Sequence, residues 1–206
     1  MLRTALLNAC LILFAGVSPG AARADMIYAT SVINYSSQFS PGAWSAAQAL
    51  GAPDTFAYGD IGTAWAPLPR NGSLEYITVG FATPLYADGF TVRETYGNGF
   101  VYQVDALDAN NVLHTIWSGT DPSLPGTPVD FSVNFARTTY HVIGLKVYTD
   151  TNHDLNAWEE IDAIQLRGDP NIPGVSVPEP SSLALGVLGG LGLLGYRCRK
   201  RQAAAP

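Results

Sequence analysis

The 206-residue chain carries 11 Lys and Arg against 17 Asp and Glu, a formal net charge of −6 at pH 7. All 17 acidic residues fall between Asp25 and Glu179, where only five basic residues accompany them, so segment 25–182 holds a formal −12. A field of that sign repels nucleic acid and anionic membrane and favours cations or neutral partners. The two cysteines, Cys10 and Cys198, lie near the ends and leave the interior without disulfide or thiol chemistry.

Residues 1–24 read as a signal peptide: Arg3 in a short basic region, an apolar stretch over 5–17, a Pro19-Gly20 break, and Ala22-Arg23-Ala24 before Asp25. A lipid-anchoring motif around Cys10 is disfavoured, because most of the apolar run follows the cysteine. Segment 26–35, rich in β-branched and aromatic residues, predicts a first strand. Residues 40–51 follow, where Ser40, Pro41 and a terminal Gly51 frame one or two helical turns. A turn-rich loop then runs through Pro53-Asp54, Gly59-Asp60 and Trp65-Ala66-Pro67.

Further strands are predicted over 75–81, 89–96, 100–107, 112–117, 129–135, 140–149 and 158–167. Gly97-Asn98-Gly99 and Asp108-Ala109-Asn110-Asn111 read as hairpin-like turns between consecutive strands. Eight short strands with no alternating long helices predict an all-β fold, an antiparallel jelly-roll-like β-sandwich with one short helix, over residues 25–168. Residues 169–176 read as a proline-rich linker.

The tail, 177–201, has three parts: a proline-bracketed motif (Pro178, Glu179, Pro180), an uncharged run over 183–196, and the basic residues Arg197, Arg199, Lys200 and Arg201. As a helix the fourteen-residue run spans about 21 Å against a hydrocarbon core of roughly 30 Å, which makes a short transmembrane helix. The basic cluster holds its end on the cytoplasmic side and turns the preceding domain outward. This order resembles the PEP-CTERM sorting signal of Gram-negative bacteria. The resemblance implies export, a membrane-anchored precursor, recognition by an exosortase, and delivery to a cell surface or extracellular matrix rich in polysaccharide, as in biofilms.

Residues 28–168 resemble the galactose-binding-like, discoidin-type jelly roll. Ala49-Leu50-Gly51-Ala52-Pro53-Asp54 matches its early loop, Trp65 its loop tryptophan, and Trp158-Glu159-Glu160-Ile161-Asp162 its acidic closing strand. That resemblance implies a structural calcium ion, pairing Asp54 or Asp60 with Glu160, and glycan binding through loops at one end.

Asp150, Asn152 and Asp154 place oxygen-bearing side chains at every second position, with Glu159 and Glu160 following, a spacing that suits a hard cation such as Ca²⁺. The same residues also suit an Asx-rich turn bonded to its own backbone. Trp44, Trp65, Trp117 and Trp158 are expected first as core plugs, with Trp65 as the candidate for a sugar-stacking platform. For catalysis the sequence offers no residue: His114, His141 and His153 fall in no metal-protease motif, no Gly-x-Ser-x-Gly elbow occurs, and Glu159 and Glu160 are adjacent on a strand and face apart. The expected function is a non-catalytic matrix- or glycan-associated module. Its rivals are a ligand-free surface-coat protein and a hydrolase with an unrecognised site.

Overall fold

In the computed structural model, which describes residues 25–171, eight antiparallel strands form two sheets that share one long strand. They are β1 (Asp25–Tyr28), β2 (Ser31–Tyr35), β3 (Leu74–Tyr96), β4 (Val101–Asp108), β5 (Leu113–Ser118), β6 (Val129–Asn134), β7 (Val142–Asp150) and β8 (Glu160–Asp169). The first sheet runs β1-β8-β3-β6 and uses the second half of β3; the second runs β2-β3-β7-β4-β5 and uses the first half. The expected signal peptide, most of the linker, the Pro178-Glu179-Pro180 motif, the apolar run and the basic cluster lie outside the described residues.

Three expectations are corrected. Segment 26–35 is two strands, because neighbouring amides serve different sheets: Ala29 N donates to Ile164 O (2.9 Å) and Thr30 N to Gly80 O (2.8 Å). Conversely, 75–81 and 89–96 are one strand. Its register slips between Gly80 and Leu85, around Pro84, which has no N–H to give to a ladder, and there the chain bends from the second sheet into the first. Gly97-Asn98-Gly99 is no hairpin. It carries the chain from β3, paired with β8, to β4, paired with β7, and Gly97 (φ 66°) and Gly99 (φ 98°) adopt the left-handed backbone this crossing demands.

The expected hairpin at 108–111 does form, with Asp108 Oδ1 accepting from the amides of Asn110 (2.8 Å) and Val112 (2.9 Å). The expected helical turns shrink to one 3-10 turn, Ala46–Ala49, entered from Ser45 rather than Ser40. Trp44, at φ 56°, interrupts right-handed helical geometry just before it.

Phe90, Val92, Ile161, Ile164 and Leu166 from the first sheet and Ile77, Val79, Val104, Leu145 and Val147 from the second belong to one apolar core. Each such side chain contributes about 1.5–3 kcal/mol on burial. This packed body holds fixed the loops that connect its strands. The functional candidates sit on those loops and on the strand ends beside them.

Candidate functional site

Between β2 and β3 the chain makes no long regular element and instead lays aromatic residues against the start of β8. Phe39, Trp44, Asp60, Ala66 and Trp158 line a small, shallow cleft. Phe39, 42% exposed, meets Trp44 edge to face at 5.4 Å and Trp158 at 5.5 Å. The Arg70 guanidinium lies 5.3 Å from the Trp158 ring centre, a cation–π contact at the cleft's rim.

Trp44 is held by its surroundings in a backbone conformation that bulky residues avoid. Its amide donates to Gly62 O (3.0 Å) and its carbonyl accepts from Ala66 N (3.3 Å). The ring rests over Gly62, where an added Cβ would stand 3.5 Å from it and 2.7 Å from Ala43 Cβ. Its indole Nε1 donates to Glu160 Oε1 (3.2 Å). A bulky residue kept at positive φ by tertiary contacts marks a place where geometry outweighs local backbone comfort.

Glu160 is fully buried and spends both oxygens on this region: Oε1 on Trp44 and Oε2 on the amide of Ile61 (3.3 Å). Burial pushes its carboxyl up to about 9 and the neighbouring Asp60 carboxylate adds to the rise, against the Ile61 amide and the Trp44 indole. Two residues on, Asp162 accepts from the amides of Asp54 (3.3 Å) and Thr55 (3.2 Å). Its carboxyl is also raised, chiefly by burial, with the Asp54 side chain adding to the effect.

The proposed metal set is not gathered into one place. Asp60, not Asp54, meets Glu160, while Asp54 stands against Asp162. Asp150 and Asp154 close Asx turns, accepting from the amides of Asn152 (2.9 Å) and Asn156 (3.0 Å), and Asn152 Oδ1 accepts from Gly72 N (3.0 Å). Among the described residues no group of three or more His, Cys, Asp or Glu converges as a metal cage.

Trp65 is corrected as well. It is buried in the core, its Nε1 donates to Ser37 O (3.1 Å), and its backbone bridges to Ile161, so it offers no face for stacking. Trp117 packs edge to face on Phe131 at 5.0 Å.

Glu159 and Glu160 face apart. Glu160 reaches Trp44 and Ile61, whereas Glu159 is pushed up to about 8, first by burial and then by Asp150 and Asp154, with the amides of Glu159 and Asp154 opposing. His114 Nε2 lies 3.0 Å from Asp108 Oδ2 and its ring stacks on Tyr140 at 4.1 Å, while the His141 ring lies 4.3 Å from Tyr86. The residues that sequence reasoning missed are Phe39 and Arg70, which carry no motif and join the site only through folding.

A family model described as "Pappalysin-1, SD scarf domain, C-terminal" matches residues 20–176, and the PEP-CTERM protein-sorting motif matches residues 176–201. No curated protein sequence matches the chain. Among solved structures, XRCC1 in complex with the DNA polymerase β catalytic domain superposes with a TM-score of 0.53 at 10% identity, over 69% of this chain and 98% of that one. Chitosan-binding module 1 of the chitosanase/glucanase from Paenibacillus sp. IK-5, as a mutant form, gives 0.50 at 11% identity, over 69% and 99%. The family 32 carbohydrate-binding module of C. perfringens NanJ, in complex with galactose, gives 0.50 at 12% identity, over 69% and 99%. At these identities the likeness is one of fold, the β-sandwich of carbohydrate-binding modules. The pappalysin-1 match spans well over half of the sequence, and the chain belongs to the family of the pappalysin-1 SD scarf domain, C-terminal, with a PEP-CTERM sorting motif following it.

Proposed function

We propose that this protein is exported, sorted by an exosortase through residues 176–201, and displayed at the surface of a Gram-negative bacterium as a non-catalytic glycan-binding module of the extracellular matrix. The aromatic cleft carries the glycan-binding reading. Phe39, Trp44 and Trp158 present ring surface at one opening, with the Asp60 carboxylate as acceptor and the Arg70 guanidinium as donor at its margin. Flat apolar faces beside a few polar groups suit a sugar, whose C–H face stacks while its hydroxyls bond at the rim. The sorting motif and the fold shared with chitosan- and galactose-binding modules support the same reading.

The structural calcium that the discoidin resemblance implies fits Asp60 and Glu160. Both are hard oxygen donors, Asp60 on the exposed loop and Glu160 at the buried start of β8. There the ion would neutralise the pair and fix the loop behind Trp44. Asp54, Asp150, Asn152 and Asp154 are left out of that site.

The test is binding of the purified protein to a panel of neutral, amino-sugar and uronic-acid polysaccharides, followed by Trp158→Ala. Loss of the Trp158 face should weaken binding roughly tenfold, about 1.4 kcal/mol, with melting little changed. Binding unaffected by Trp158→Ala, or no binding across the panel, rejects the cleft as a glycan site.

A further inference from the structure

A polar depression lies on the outer face of the first sheet, toward the opposite end of β8 from the aromatic cleft. Strand register lays out its floor. Met26 pairs with Arg167, Arg167 with Gly89 and Gly89 with Asn134, so these residues form one row across β1, β8, β3 and β6. The next row of the same face carries Gln165, Thr91 and Ser132. Leu166, Phe90 and Val133, which fall between the two rows, face the other way and pack in or against the core.

Gly89 opens the floor of that row, and the Arg167 guanidinium lies across it: a Cβ there would stand 3.0 Å from Nη2 and 3.1 Å from Cζ. Arg167 is pinned in this pose by Asp88, whose Oδ1 accepts from Nε (2.7 Å) and whose carbonyl accepts from Nη2 (2.9 Å). The other Asp88 oxygen accepts from Arg137 Nη2 (3.1 Å). The Arg167 charge is therefore matched, while its Nη1 has no acceptor among the described residues. Thr91 and Ser132 satisfy each other across the strands (2.8 Å). The side-chain amides of half-buried Gln165 and exposed Asn134 make no hydrogen bond among the described residues, and exposed Met26 adds an apolar wall.

Size, bonding complement and charge together define what fits. The depression measures about 90 Å³, below the roughly 150 Å³ that takes up a benzene ring. It therefore admits a substituent of a sugar and not the ring itself. Two free amides offer donors and acceptors side by side, next to a thioether wall, and they complement a group with one carbonyl, one N–H and one methyl. A carboxylate substituent would meet a guanidinium already matched by Asp88, within the −12 field of segment 25–182. A hydroxyl would leave the Met26 wall untouched. We infer that this depression is a subsite for the acetamido group of a neutral N-acetylated polysaccharide. The inference rests on the reading of the protein as a glycan binder, but the subsite shares no residue with the aromatic cleft.

The experiment is a calorimetric titration of the full-length protein with the chitin and cellulose tetrasaccharides, the same neutral backbone bearing an acetamido group or a hydroxyl. Wild type should prefer the chitin tetrasaccharide by about fivefold, the worth of one or two net hydrogen bonds. Gln165→Ala should abolish that preference, and so should Asn134→Ala, which stands in if the half-buried position disturbs folding. Trp158→Ala should keep it. No preference in wild type, a preference untouched by both surface variants, or tighter binding of an oligogalacturonate than of the chitin tetrasaccharide overturns the subsite. A preference lost in Trp158→Ala alone overturns it too and leaves the sugar in the cleft. A preference that survives Trp158→Ala with affinity unchanged, and falls in Gln165→Ala, keeps the subsite and rejects the cleft.

Discussion

Glu160 and Glu94 lie on neighbouring strands of one sheet, where Tyr96 pairs with Glu160 and Glu94 with Ile161, and both are fully buried. They are nonetheless held in opposite ways. Glu160 has a donor on each oxygen and acts as a strut beneath Trp44. Glu94 accepts from the Gly99 amide on one oxygen and lies beside a second acid, Asp121. Burial alone therefore does not say how a carboxylate is held; its hydrogen-bond partners do.

The largest effect expected from this contrast is on pH dependence. Glu94, Glu159 and Glu160 are raised from 4.5 to about 10, 8 and 9. Between pH 4.5 and 8 the folded state keeps protons that the unfolded state has released. Their stabilising contribution is complete below the unfolded pKa of 4.5 and is lost as pH rises through the folded values. In chelator, the unfolding free energy should thus fall between pH 5 and pH 8 by several kcal/mol, since each group contributes up to about 1.4 kcal/mol per unit. Saturating calcium should flatten the slope. Urea unfolding at pH 5, 6.5 and 8 reads it directly, and a flat profile in chelator would mean that these acids are ionised in the fold.

Trp65 and Trp158 sharpen the contrast on the side of Glu160. Trp65 is core, so Trp65→Ala should cost about 3–5 kcal/mol by urea unfolding. Trp158→Ala should cost much less and fall on glycan affinity instead. If Trp65→Ala left stability intact and abolished binding, the roles assigned here to the two residues would be reversed.

Most of the sandwich was legible because period-two apolar patterns and turn residues are local signals. Ile143, Leu145 and Val147 alternate in the sequence, and the strand is there. What was not legible is what non-local pairing decides. Nothing in residues 97–99 distinguishes a hairpin from a crossover between sheets, because that depends on β7 and β8 arriving later in the chain. Trp65 could be read as a core plug or a loop platform because its loop is irregular, and the backbone bridge to Ile161 settles it inside. The acidic closing strand was visible, but which early-loop acid meets Glu160 was not: a spacing in sequence does not say whether Asp54 or Asp60 is aimed at it. Phe39 and Arg70 were invisible for the same reason.

Glu160→Gln separates strut from charge. Glutamine keeps a carbonyl oxygen for Trp44 or Ile61 but turns an NH2 toward the other, so one of the two N–H donors loses its acceptor. The substitution should cost about 1–3 kcal/mol and take one group out of the pH slope. Urea unfolding at pH 5 and pH 8 checks it. Unchanged stability at both values would mean that Glu160 is not a strut beneath Trp44.

The smallest effect is expected at Asp154, where the sequence suggested a cation ligand and the structure shows a turn. Asp154 accepts from Asn156 N, a bond that asparagine can also accept, and its carboxylate adds to the like-charge pressure on Glu159. Asp154→Asn therefore keeps the Asx turn while relieving Glu159. Stability should stay within about 0.5 kcal/mol of wild type, the usual range for a surface substitution that keeps its hydrogen bond, and calcium affinity should not change. Urea unfolding and a calcium titration read these two quantities separately. A tenfold or larger drop in calcium affinity on this substitution would place a cation in the 150–156 turn, since a small change is what removal of one nearby negative charge gives at any site.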